Sequence, residues 1–217
     1  MNKNLSKIVS LRVGKISKIK NSDKEILSAI NKTNTKSSYL TKIGFEDDEQ
    51  YDKRYHGGEN KAVLFFSFET YKKIEKILNI NLEYKDSTPL GENILVSDIC
   101  EDDICVGDIL KLGEAIVQVT QPREPCNKLS INSGNKNMLK TIYQNGYTGW
   151  YAKVLQEGIV KQNDNLELLE SPYENLTIAS LNNSLLNPVK YKDVIKEAIS
   201  CEVLGKPFKE ELQRVLG

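Results

Sequence analysis

The sequence predicts a mainly β protein, a barrel or strongly curved sheet, followed by a small unit of three helices. Three observations carry this. Short apolar stretches recur through the first two-thirds of the chain, several of them alternating apolar and polar residues as half-buried strands do. Gly107-Asp108 and Gly113-Glu114 form turns between such stretches, a rhythm that suits a closed or curved sheet. Beyond Glu170 the apolar spacing changes to that of helices.

Taken in order, residues 8–19 largely alternate and read as one strand. Residues 62–68 read as a buried strand, and residues 70–78 place Tyr71, Ile74, Ile77 and Leu78 at helical spacing. Residues 94–96, 109–112 and 115–119 are short strands, and 150–155 and 166–169 close the sheet. Ser171-Pro172 breaks the last strand. Helical patterns then centre on 174–184, 189–201 and 208–216, separated by Asn187-Pro188 and Gly205-Lys206-Pro207. In the second of these, Val189, Val194, Ile195, Ala198 and Ile199 give an apolar stripe. A tail this short is marginal by itself, so it is expected to dock on the barrel or on a partner, a homodimer included.

Composition sets the outer limits. The 217 residues are 39% hydrophobic and 28% charged, enough for a packed core under a polar surface. Thirty Lys and Arg balance thirty Asp and Glu, which argues against sequence-independent binding of nucleic acid. The most apolar stretch, 63–68, is far too short to span a bilayer, and the first residues lack a signal-peptide core. The expectation is a cytoplasmic protein with no membrane partner. Four cysteines occur without a C-x-x-C pair, and His56 is the only histidine, so a structural zinc site is not expected. Cys100 and Cys105 have the surroundings of small core residues, and Cys201, in the polar Ser200-Cys201-Glu202, is also read as structural.

Cys126 differs. In Gln121-Pro122-Arg123-Glu124-Pro125-Cys126-Asn127-Lys128 it stands between two cations on a loop stiffened by two prolines. Neighbouring cations favour a thiolate, which is both nucleophile and soft metal ligand. From the stretch alone, a functional thiol and a packed one are equally plausible. A second cluster, Arg54-Tyr55-His56-Gly57-Gly58 with Lys61, sets cations and two glycines just before a buried strand. Guanidinium and ammonium groups suit a phosphate, and glycines let backbone approach a ligand. Gly91-Glu92-Asn93 reads by itself as an ordinary turn, and the aromatics at 147–151 as core residues closing a barrel.

Together these segments resemble the MOSC domain, and more narrowly the YiiM-like stand-alone subgroup with a C-terminal three-helix extension. The resemblance rests on Asp48 to Asp52, the His-Gly-Gly turn with Lys61-Ala62, Gly91-Glu92-Asn93 and Val106-Gly107-Asp108. It continues through Gln121-Pro122-Arg123, Pro125-Cys126 and Lys128-Leu129 to Thr148-Gly149-Trp150-Tyr151. Each motif is weak alone; their common order is specific. The resemblance implies a MOSC-type β-barrel-like domain over 1–170 and the extension over 171–217. It implies a bound molybdenum cofactor, with Cys126 as the metal ligand and Arg54, His56, Gly57, Lys61, Asn93, Arg123 and Lys128 as cofactor-binding residues. It further implies two-electron reduction of N-hydroxylated compounds, N-hydroxylated bases among them, to amines. Cys126, His56 and Glu92 would then be the catalytic residues, the last two as proton donors. The sequence has no flavin or nicotinamide fingerprint and no Fe–S cysteine spacing, so a separate electron-donor protein is expected. The alternative is a carrier that binds the cofactor or its sulfur without turnover.

Overall fold

The computed structural model describes residues 3–21, 24–51, 57–84 and 87–216. The strands are β1 (Lys3–Val13), β2 (Ser17–Asn21), β3 (Lys24–Ser28), β4 (Thr33–Thr35), β5 (Ser37–Thr41), β6 (Gly44–Phe45) and β7 (Val63–Ser67). They continue as β8 (Ile94–Val96), β9 (Ile109–Leu112), β10 (Ala115–Pro122), β11 (Trp150–Gln156), β12 (Gly158–Lys161) and β13 (Asn165–Glu170). The helices are α1 (Phe68–Leu78), α2 (Lys128–Asn132), α3 (Met138–Asn145), α4 (Ile178–Leu186), α5 (Lys192–Ser200) and α6 (Lys206–Leu216).

Among the described residues, seven strands close a barrel in the order β13-β9-β10-β11-β7-β8-β1, with β1 pairing back onto β13. Closure removes the free edges that an open sheet would expose. Register shifts in β1, β10 and β13 provide the bends that curvature requires. The pair β7–β8 is parallel, whereas the other barrel pairs are antiparallel. A parallel pair needs a crossover, and α1 supplies it. Ser67 caps that helix by accepting from the amides of Glu69 and Thr70, and Asn79 ends it in the left-handed conformation.

The run Val63-Leu64-Phe65-Phe66 does not alternate because both faces of β7 are covered. Phe65 joins the barrel interior and stacks on Trp150 at 5.9 Å between ring centroids. Phe66 faces an outer cluster with Tyr71, Ile74, Leu90, Leu129 and Ile142. Ile94, Leu95 and Val96 divide in the same way. The expected single strand over 8–19 breaks after Val13 into β1 and β2, and the expected helix at 70–78 begins earlier, at Phe68.

The tail docks on the barrel. Leu176, Leu181, Ile195, Ala198, Phe208 and Leu212 belong to the same apolar cluster as the barrel interior. Backbone hydrogen bonds Val106→Leu176 and Ile178→Ile104, at 2.9 and 2.8 Å, fix its start. Val189 corrects the expected apolar stripe: it precedes α5 and is 91% exposed, so the stripe begins at Val194. No helix among the described residues is long and apolar enough to cross a membrane.

One buried ion pair ties the two apolar clusters together. Arg12 on β1 and Glu92 are both fully buried and joined through the guanidinium Nη1 and a carboxylate oxygen. Arg12 also donates to Asn34 on β4 at 2.9 Å and to the Tyr84 carbonyl. The second oxygen of Glu92 accepts from the Tyr71 hydroxyl on α1 at 2.8 Å. Removing one partner of a buried pair leaves an uncompensated charge. Glu92→Gln is therefore expected to lower unfolding free energy by roughly 3–5 kcal/mol. Urea titration checks this; a loss below ~1 kcal/mol, the value of an exposed pair, would refute it.

Candidate functional site

Beyond Pro122 the chain leaves β10 as a loop that turns into α2. Pro122 closes the β10–β11 ladder opposite Trp150, at a strand end where its missing amide hydrogen costs nothing. The Arg123 amide then bonds the Gly149 carbonyl at 3.2 Å, and the Cys126 carbonyl accepts from Leu129 at 3.0 Å. The loop is thus held at both ends, and Cys126 sits half-buried between them.

The turn opposite is held as firmly. Gly149 has φ +66°, and its amide donates to Glu101 at 2.9 Å. The other Glu101 oxygen accepts from the Thr70 hydroxyl at 2.6 Å. From the tail, Asn182 on α4 donates to the Thr148 hydroxyl and the Gly146 carbonyl at 2.9 and 3.0 Å. Sequence reasoning missed both Glu101 and Asn182. Neither carries a local signal, since their roles come from remote backbone groups.

Cys126 lines a cavity at the barrel mouth together with Lys61, Asn93, Arg123 and Lys128. Five residues singled out from the sequence therefore meet in one place. Arg123 is only 5% exposed, yet its Nε and Nη1 have no hydrogen-bond partner among the described residues. Buried donors are almost always satisfied, so these point to a missing acceptor. Lys61 lies 5.7 Å from the Tyr151 ring centroid and 3.7 Å from the Glu124 carboxylate. The Lys128 ammonium sits 5.0 Å from the Tyr51 ring centroid. Tyr151 also lines the cavity; burial raises its pKa and the Arg123 cation opposes the rise, so the phenol keeps its proton at neutral pH.

The opposite wall is a satisfied network. Lys32 pairs with Asp48 at 2.5 and 2.6 Å, both side chains nearly buried. Asp48 also accepts from the Gly14 amide at 2.8 Å and from the Asn93 side chain at 2.9 Å. Asn93 in turn accepts from the Leu64 amide at 3.2 Å. Its carboxamide is occupied by protein, and its part at the cavity is to hold the Asp48 wall. Gly91 makes the turn possible: its φ is +81°, and a Cβ there would lie 2.7 Å from Ile30. Lys32 was missed from the sequence, where it is one of thirty Lys and Arg in an unremarkable stretch.

Other expectations fall elsewhere. Glu92 does not line the cavity, because both its oxygens are spent on Arg12 and Tyr71. Burial raises its pKa while Arg12, Tyr71 and the Arg123 charge pull it down. Gly57 is half-buried beside Gly58, which opens the short turn Glu59–Lys61, and does not line the cavity. Arg54 and His56 lie outside the described residues. Cys105, its thiol pushed up to about 12 by burial and the Asp108 charge, is inert core.

A barrel of this topology with a basic, thiol-bearing mouth defines a class that comparison identifies. Residues 52–167 match the MOSC domain, and the chain belongs to that family. It is 35% identical over 208 residues to the uncharacterized protein YflK of Bacillus subtilis (strain 168), covering 95% of this chain and 93% of that one. A Gibberella moniliformis (strain M3125 / FGSC 7600) protein named "Reductase" is 30% identical over 127 residues, 58% of this chain but only 23% of its own length. The crystal structure of YiiM from Geobacillus stearothermophilus superposes with a TM-score of 0.79 at 30% identity, covering 98% of this chain and all of that one. MOSC domains are associated with molybdenum-cofactor binding.

Two predictions follow from the packing of the site. Burial raises the Glu101 pKa, so its contribution to stability is present below the unfolded glutamate value near ~4.3 and is lost as pH rises through the higher folded value. Glu101→Gln keeps a carbonyl for Gly149 and removes that titration, so it should gain on the wild type as pH is raised from acid to neutral. Urea midpoints measured across that range check this; a pH-independent deficit in the variant would oppose it. Arg123→Met removes two unpartnered donors, so the ligand-free protein should melt at the same temperature or higher. A fall of several degrees in a thermal scan would show that Arg123 supports the fold itself.

Proposed function

We propose that this chain is a molybdenum-cofactor-dependent reductase of N-hydroxylated compounds. The observation that carries this reading is Cys126 beside the buried, unpartnered donors of Arg123, in a cavity that also holds Lys61 and Lys128. An anionic group with a soft metal fits such a donor set. The cations answer its phosphate, and a thiolate is a fitting ligand for a sulfur-rich centre. Among the described residues no group of three His, Cys, Asp or Glu side chains gathers to hold a bare ion. Cys126 therefore suits a metal that arrives with most of its ligands already in place. The fungal relative named as a reductase supports redox chemistry, within the part of its length that this chain matches.

In this reading Cys126 ligates the metal, and Arg123, Lys61 and Lys128 orient the cofactor's anionic part. When bound, the cofactor supplies the redox change that N–O cleavage requires. The protein's own contribution is shape and protons. Tyr151, protonated and buried against the cations, can donate a hydrogen bond at the cavity wall. The Lys32–Asp48 pair, fixed by Gly14 and Asn93, keeps the opposite wall rigid. Glu92 holds the turn that carries Asn93, which places its influence one residue away from the site. His56 remains the proposed proton donor.

The test is Cys126→Ala, produced beside the wild type in a host that makes the cofactor. Molybdenum content is expected to fall to background, and reduction of an N-hydroxylated base to fall by more than ~100-fold, beyond the cost of losing an outer partner of a metal ligand. A variant that keeps both metal and rate would refute the assignment. Wild type that binds molybdenum but does not turn over with a chemical reductant would favour the carrier reading.

A further inference from the structure

We propose that the outer side of the Cys126 loop is the docking face for an acidic electron-carrier protein. The proposal rests on the reductase reading above and assigns its missing partner a place. The loop has two sides. Cys126 lines the inner cavity, whereas its neighbours Pro125 and Asn127 line a shallow groove on the outside. The groove continues over Ser130 and Ile131 of α2 and Leu139 and Tyr143 of α3, with Lys136 and Lys140 at its rim. Tyr143 is 49% exposed, an aromatic left on the surface. A carrier seated here would be separated from the thiol by the thickness of one loop.

Charge identifies the occupant. Between Pro125 and Gln156 the sequence holds Lys128, Lys136, Lys140 and Lys153 and no acidic residue. The whole chain has equal numbers of acidic and basic residues, so this stretch is a local departure. Acidic groups adjoin it elsewhere: buried Glu101 accepts from Gly149, Glu157 follows Gln156, Glu124 lies on the loop, and Glu210 and Glu211 of α6 line the adjacent cleft with Arg123, Tyr143 and Arg214. The last three bound the basic face on one side and leave the rim at Lys136 and Lys140 uncompensated among the described residues. Electron-transfer encounters use small interfaces, steered by complementary charge and centred on a few apolar contacts. A groove with Ile131, Leu139 and Tyr143 inside a lysine rim has that composition.

The chemistry closes on the partner. Cleaving an N–OH bond to give N–H and water consumes a pair of electrons and a pair of protons. The reduced carrier gives up the electrons in single steps and is oxidised; solvent supplies the protons through the cavity.

The probe is a reduced flavodoxin, an acidic carrier, titrated against the cofactor-loaded protein at low and high salt. Binding is expected at low salt and should weaken as salt rises. Lys136→Glu/Lys140→Glu should weaken it by at least ~10-fold, and Lys136→Gln/Lys140→Gln by less. Thermal scans should show both variants folded, and turnover with a small chemical reductant should be unchanged in both. Equal, salt-independent binding by wild type and variants would overturn the proposal. So would sedimentation showing that the charge reversals abolish a homodimer, because the face would then be covered by a second copy. Salt-dependent, lysine-dependent binding without any reduction of an N-hydroxylated base would support the docking face and count against the reductase reading. Turnover with the chemical reductant but no flavodoxin binding would do the reverse.

Discussion

The Arg12–Glu92 pair is the constraint on which the site depends. Two fully buried charges must find each other, and here they do so across β1 and the turn that enters β8. Arg12 reaches β4 and the Tyr84 carbonyl, and Glu92 reaches Tyr71 on α1. The pair therefore sets where the Gly91-Glu92-Asn93 turn lies relative to the barrel. Asn93 follows directly, and through it Asp48 and Lys32 are positioned at the cavity. A buried pair gains little over an apolar replacement of the same shape, but it tolerates few alternative arrangements of its partners. Under the proposed function, in which the cavity presents fixed cations to a ligand, that selectivity is the useful property.

The two walls of the cavity differ in how their charges are met. On the Lys32–Asp48 wall every described polar contact is to protein. On the Cys126 wall Arg123 is buried with two donors unmet among the described residues, while Lys61 pairs with Glu124 beside the Tyr151 ring and Lys128 lies against the Tyr51 ring. A protein fold tolerates unmet buried donors only where something else compensates for them. The asymmetry thus separates a wall whose buried donors are met within the protein from a wall that leaves two of them unmet. It also explains why Asn93 and Cys126, both named from the sequence, have different parts: one is anchored to the protein and the other is open to the cavity.

Much of this was legible in the sequence, for physical reasons that can be named. The strands at 94–96, 109–112 and 150–155 announce themselves by apolar runs between turns, and the helical tail by its change of period. Residues 128–145 were not legible as α2 and α3, because Asn and Gly interrupt their pattern and their apolar residues serve the outer cluster around Phe66. Val189 misled, since an apolar residue after Asn187-Pro188 fits helical spacing whether or not the helix has begun. At the site, Cys126 and Arg123 carried a local signal, a thiol and a cation between prolines. Lys32, Glu101 and Asn182 carried none. Glu92 was visible in a motif, but a motif does not tell whether a carboxylate faces a ligand or an arginine from a strand far away in sequence.

The loop around Cys126 shows what the structure adds to the motif. Read as sequence, two prolines around a thiol imply stiffness. In the fold, the stiffness has a direction, because Arg123 is tied to Gly149 and the tail helix α4 is tied to Thr148. From the tail, Asn182 holds the turn against which the thiol loop is braced. The same bracing gives the loop two usable sides, a cationic one facing the barrel mouth and a lysine-rimmed one facing solvent. A redox centre needs both a closed side for substrate and an approachable side for its reductant. Under the proposed reading one loop serves both, with Cys126 toward the cavity and Pro125 and Asn127 toward the outer groove.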